Sequence, residues 1–91
     1  MSVWLITGCS TGIGREIANV ALEQGPQVAV TARDESRVGD FVERFGARAL
    51  PLALDVTDKA QCADAVARTE HAFGRVDVLV NNAGYGYLAA I

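Results

Sequence analysis

The chain has 91 residues, with 8 lysines and arginines against 11 aspartates and glutamates, a formal net charge of −3, and 51% hydrophobic against 21% charged residues. That composition is globular rather than disordered, and the length admits one domain with a modest core, burying about 60–65% of the surface the unfolded chain exposes. A large two-domain enzyme is not expected in 91 residues, and the mild acidity argues against a nucleic-acid binder, since the basic residues are scattered singly rather than gathered on one face.

The first apolar run, Val3 to Ile6, is too short to span a membrane and has no basic flank, so neither a signal peptide nor a transmembrane helix is expected and the default compartment is the cytoplasm. Continuous apolar character through Val3-Trp4-Leu5-Ile6-Thr7 predicts a strand buried on both faces. It runs into a glycine-rich turn. After Gly14, the residues Ile17, Ala18, Ala21 and Leu22 continue a helical stripe begun at Ile13, and Gly25-Pro26 stop it. The unit then repeats: Val28 to Ala32 is strand-like, and Val38, Phe41, Val42 and Phe45 lie on one helical face that ends at Gly46. Leu50, Leu52 and Leu54 alternate toward Asp55. Thr57 or Asp58 can cap a third helix that turns Cys62, Ala65, Val66, Thr69 and Phe73 inward before Gly74. Val76 to Val80 is a fourth strand.

Strands alternating with helices of this length predict right-handed crossovers and an α/β fold, a parallel sheet with helices on both faces. Pro51 selects the strand order. A proline cannot donate to the ladder and belongs at an edge, a bulge or a strand end, and in the Rossmann order 3-2-1-4 the third strand is an edge. Further strands of that order are absent from these residues, which leaves Val78 to Val80 as an apolar edge open to pairing or aggregation. There is no internal repeat, low-complexity segment or linker. Cys9 and Cys62 lie in unlike contexts without Cys-x-x-Cys or Cys/His spacing, so two free thiols and no metal site are expected.

The segment Thr7-Gly8-Cys9-Ser10-Thr11-Gly12-Ile13-Gly14 follows a buried strand and opens a helix, so backbone N–H groups and a helix N-terminus converge where a phosphate fits. Gly8 permits the tight turn, Gly12 lets a diphosphate approach the backbone, and Gly14 lets the helix pack closely on the strand. The spacing is Gly-x-x-x-Gly-x-Gly, without the Gly-Lys-Ser/Thr of a triphosphate-hydrolysing loop. Together with Asp55-Val56-Thr57 after the third strand and Asn81-Asn82-Ala83-Gly84 after the fourth, this loop resembles the N-terminal half of a classical short-chain dehydrogenase/reductase. The motifs cover nearly the whole chain.

The resemblance implies a partial NAD(P)-binding Rossmann domain over residues 1–91. It implies that Ser10, Thr11 and Ile13 line the diphosphate loop beside Gly8, Gly12 and Gly14. Asp55 would accept a bond from the adenine amino group with Val56 flanking it, and Asn82, Ala83 and Gly84 would lie near the nicotinamide ribose. Asn81 would tie neighbouring loops together. Taken alone, Asp55 also has a lesser reading as a helix or turn cap near Asp58. In such folds an acidic residue at the end of the second strand serves the ribose 2′-OH of NAD and repels the 2′-phosphate of NADP. Ala32 stands at that position and Arg33 follows it, which favours NADP over NAD. In a frame one residue later, Asp34 would serve the 2′-OH and Arg33 would be a solvated loop residue.

The family's catalytic tyrosine is followed four residues later by a lysine. Tyr85 and Tyr87 are followed at that spacing by Ala89 and Ile91, so neither fits, and the catalytic residues are expected beyond Ile91. The expected activity of the complete protein is hydride transfer between nicotinamide and a small carbonyl or alcohol substrate, in a homo-oligomer without nucleic-acid or membrane partners. The 91 residues alone are expected to be inactive. A non-catalytic dinucleotide sensor is the alternative. A receiver-like domain with Asp55 as phosphoacceptor needs an acidic pair after the first strand, where Thr7-Gly8 stand. Cys9 at a helix N-terminus has a reactive reading but no histidine near it in sequence. His71 reads as a solvent-facing complement to a helix dipole, and Trp4 as a sheet residue.

Overall fold

A computed structural model describes residues 2–82. Strand β1 (Val3–Ile6) leads to helix α1 (Gly12–Gln24), strand β2 (Gln27–Ala32), a 3₁₀ turn at Glu35–Val38, and the short helix α2 (Asp40–Phe45). A second 3₁₀ turn at Gly46–Arg48 precedes β3 (Ala49–Ala53), α3 (Lys59–Phe73) and β4 (Val78–Val80). The strands are parallel in the order β3-β2-β1-β4. Pro51 therefore sits on an edge strand, as its missing N–H requires.

Alternation along the strands divides the core between two faces. Ile6, Val28 and Val30 pack with Ala18 and Leu22 of α1 and Phe41 of α2, while Leu5, Ala29, Leu52 and Leu54 pack with Ala65 of α3. The buried face of α1 is small near its start, with Gly14 and Ala18, and larger at Leu22. Gly25 ends that helix in the left-handed region, its N–H on the Leu22 carbonyl at 3.3 Å. In α3, Thr69 is fully buried and satisfies its hydroxyl by donating to the Ala65 carbonyl at 2.7 Å. Asp58 rather than Thr57 caps this helix, accepting from the N–H groups of Ala60 and Gln61 at 2.9 and 3.2 Å. No helix among the described residues is long and apolar enough to cross a membrane.

The structure departs from the sequence reading in two places. The stripe from Val38 to Phe45 is divided between a 3₁₀ turn and α2, joined at Gly39. Asp34 caps the turn and Arg37 N–H bonds back to the Asp34 carbonyl at 3.0 Å, a tighter winding than an α-helix, so Val38 and Phe41 reach the core while Val42 is exposed. Strand β4 starts at Val78 rather than Val76 because Asp77 joins β1 partly through its side chain. The Asp77 N–H donates to the Val3 carbonyl at 2.8 Å, and Val3 N–H donates to the Asp77 carboxylate at 2.8 Å. Arg75 Nε donates to the same carboxylate at 2.9 Å.

The Val3 N–H, followed by Arg75, holds the Asp77 carboxyl below its ordinary value of 3.8. A depressed carboxyl stabilises the fold above that value, and the contribution is lost as pH falls through the lower folded value. We expect Asp77→Asn to be less stable than the parent at pH 7 and to lose less stability between pH 5 and pH 2. Urea unfolding across that range checks this, and parallel stability curves for the two proteins would contradict it.

Candidate functional site: a cleft at the carboxyl edge of the sheet

Parallel pairing brings the C-terminal ends of β1, β2 and β3 to one edge of the sheet, where ligands of open α/β folds bind. The loop leaving β1 turns sharply at Gly8 (φ 67°) and enters α1 through Gly12 (φ 63°), a backbone region costly for any residue with a Cβ. Between them the loop doubles over β2: Cys9 N–H donates to the Thr31 carbonyl at 2.7 Å. Thr11 precedes α1 in extended conformation without capping the helix through its side chain, and the first turn holds no acidic residue. The leading N–H groups of a 13-residue helix are thus left to whatever lies before them.

A cleft of about 350 Å³ opens here, within the ~300–1,000 Å³ typical of small-molecule sites. Gly8, Ser10 and Thr11 form one wall. Ala32, Arg33, Asp34 and Arg37, beyond the end of β2, form a second, and Leu54 and Val56 close it from the end of β3. Leu54 N–H continues the β3 ladder by donating to the Ala32 carbonyl at 2.8 Å, which fixes the third wall against the second. Of the residues singled out from sequence, Gly8, Ser10, Thr11, Arg33 and Val56 meet at this cleft. Ile13 lies in the first turn of α1 and is 70% exposed, and neither it nor Asp55 contributes to the walls.

Gly14 is buried beneath the loop, and a Cβ there would overlap the Gly8 carbonyl oxygen and the Asn82 side-chain amide. Asn82 donates through its backbone N–H to the Thr7 hydroxyl at 2.8 Å and through Nδ2 to the Gly8 carbonyl at 3.5 Å. Thr7 Oγ1 in turn donates toward Asn81 Oδ1 at 3.3 Å, so Asn81 ties the exits of β1 and β4 together. Ala83, Gly84, Tyr85 and Tyr87 lie outside the described residues.

Two aspartates at the rim are engaged locally. Asp34 Oδ1 accepts from Ser36 Oγ at 2.7 Å and Ser36 N–H at 3.0 Å, which lowers its pKa. Asp55 Oδ1 accepts from Thr57 Oγ1 at 2.7 Å and Thr57 N–H at 3.0 Å; these bonds, with a smaller contribution from Arg33, lower its pKa too. Both are ionised at neutral pH. The ion pairs among the described residues are Arg15–Asp40, Arg68–Asp64 and Arg75–Asp77, so neither Arg33 nor Arg37 is consumed in one. Cys9 has no exposed surface, its thiol donates to the Ile6 carbonyl at 3.2 Å, and burial pushes its pKa up to about 11. The thiol stays protonated, so the reactive reading fails. Arg37 and Leu54 were missed as cleft residues. Arg37 follows Arg33 by one helical turn's spacing, a signal visible only once the 3₁₀ turn after Asp34 is known.

The short chain dehydrogenase family matches residues 2–91. An oxidoreductase of Botryotinia fuckeliana is 47% identical over 90 residues, covering 98% of this chain and 33% of that protein. Among solved structures, a short-chain dehydrogenase from Streptomyces avermitilis superposes with a TM-score of 0.87 at 45% identity, over 92% of this chain and 32% of that one. The C-domain, with NADP, of a bacterial malonyl-CoA reductase gives 0.85 at 36% identity, over 92% of this chain and 15% of that one. The chain belongs to the short-chain dehydrogenase family, and it spans about a third of the length of the curated relatives it matches.

Two outcomes follow from the packing. Gly14→Ala forces α1 away from the Gly8 carbonyl and should cost about 1–3 kcal/mol, measured by urea unfolding against the parent. Iodoacetamide at pH 8 should modify Cys62, which is half-buried, well before Cys9; peptide mapping that finds equal modification would contradict the sealed loop.

Proposed function

We propose that the cleft holds the adenosine end of NADP and that these residues form the cofactor-binding part of an oxidoreductase. The proposed reaction of the complete protein is hydride transfer between nicotinamide and a small carbonyl or alcohol substrate. One observation carries the cofactor choice. Ala32 occupies the place of the acidic residue that would select NAD, and Arg33 stands beside it on the cleft wall. Family membership supports a nicotinamide cofactor of either kind, and the structural likeness to a domain with NADP is consistent with the choice.

The residues present fit the group. The loop from Gly8 to Gly14 offers uncapped N–H groups at the start of α1 to the diphosphate, which is favoured further by the positive end of the helix dipole. Leu54 and Val56 give the adenine an apolar wall. Asp55 is charged and holds both its Thr57 bonds on Oδ1, so Oδ2 is available to the adenine amino group. Asn82, tied to Thr7 and Gly8, is the residue assigned to the nicotinamide ribose in this reading. The cofactor supplies or accepts the hydride when bound, and the protein orients it. Proton transfer needs groups outside those assigned here, because neither tyrosine of the sequence is followed by lysine four residues on.

A side-by-side fluorescence titration with NADPH and NADH tests the assignment. A charge-assisted bond made to one cofactor alone gives NADPH a Kd about tenfold or more below that of NADH. Arg33→Ala should remove most of that difference while leaving NADH binding unchanged. Equal Kd values in the parent would overturn the choice of NADP.

A further inference from the structure

We propose that Arg37 is a second cation for a phosphate monoester on the adenosine ribose, and that Arg15 is the residue that positions it. The inference rests on reading the cleft as an NADP site. A phosphate monoester carries about −1.5 to −2 charges at neutral pH, more than one guanidinium balances, and the wall beyond β2 presents both Arg33 and Arg37.

Arg37 sits on the 3₁₀ turn Glu35–Val38, a segment too short to hold its own geometry. The turn is fixed from both ends. At its start Asp34 bonds Ser36, and Arg37 N–H reaches the Asp34 carbonyl at 3.0 Å. At its end Val38 is buried in the core. The third restraint comes from α1. The Arg15 guanidinium donates to the Arg37 carbonyl at 3.5 Å, forms an ion pair with Asp40, and lies 4.6 Å from the centroid of the buried Phe41 ring. A single planar side chain, with donors on separate nitrogens and an aromatic face beneath it, thus grips three positions of the segment from 37 to 41. Arg15 is the fourth residue of α1, directly after Gly14, so the same helix that would present its N-terminus to the diphosphate also sets the distance to Arg37. Arg15 acts through Arg37 and has no place among the cleft walls.

Calorimetric titration with 2′,5′-ADP and 5′-AMP isolates the monoester from the rest of the dinucleotide. The parent should bind 2′,5′-ADP more tightly than AMP. Arg37→Met, at an exposed position, should leave the melting temperature and AMP binding unchanged and weaken 2′,5′-ADP about tenfold. Arg15→Met should weaken 2′,5′-ADP in the same direction by a smaller factor with AMP again unchanged, and Arg15→Lys, which keeps the pair with Asp40, should restore part of the loss. Asp40→Asn should act in the same direction and keeps the test in force should Arg15→Met fold poorly. A parent indifferent to the monoester would overturn the NADP reading together with this inference. A parent preference that survives Arg37→Met, or variants at position 15 that weaken both nucleotides equally, would overturn this inference alone.

Discussion

The architecture depends on one close approach, where the end of β1, the start of α1 and the exit of β4 meet around the Asn82 side-chain amide, with no room for a Cβ on α1. Gly14 permits it: the Gly8 carbonyl and the Asn82 amide occupy the space a Cβ would need. Thr7 secures the same point by bonding the segment beyond β4, its backbone N–H donating to the Val80 carbonyl at 3.0 Å and its hydroxyl accepting from Asn82 at 2.8 Å. Because the loop cannot move away from β4 without breaking these bonds, its remaining residues are displaced toward β2, where they become a wall of the cleft. The shape of the site follows from packing beneath it.

The charge of the site follows from how the turns are built. Asp34, Asp55 and Asp58 each spend a carboxylate oxygen on backbone N–H groups two or three residues ahead, the economical way to end a strand or begin a helix. That local use leaves the acidic chain with a rim on which, among the described residues, Arg33 and Arg37 are not tied up in ion pairs. A net charge of −3 therefore coexists with a cationic cleft wall, and whole-chain charge says little about the sign of a particular site.

Much of this was legible in the sequence. Pro51 placed β3 at an edge, the alternation of Leu50, Leu52 and Leu54 found the α3 face, and the glycine spacing located the loop, its tight turn at Gly8 and the close packing at Gly14. Asn81 was read as a tie between loops and makes that bond to Thr7. What escaped depended on interactions without periodicity. The break at Gly39 comes from a cap and a 3₁₀ turn, and a helical stripe looks alike with or without it. The late start of β4 comes from a side chain standing in for ladder partners. The turn that carries Arg37 is joined to α1 through Arg15, which bonds the Arg37 carbonyl and lies over Phe41, and no local window holds that information.

The spacing of these bonds along the chain has a bearing on the order in which the molecule assembles. The side-chain bond joining β1 and β2, Thr31 to the Ile6 carbonyl, spans 25 residues, whereas the Val3 to Asp77 bond that docks β4 spans 74. Closing the longer loop costs more entropy, and contacts between distant residues form later. The walls drawn from β1, β2 and β3 can thus gather before Asn82 reaches Thr7. The cleft can therefore take shape while the sheet is still open on its β4 side, with the arrival of β4 locking a surface already present.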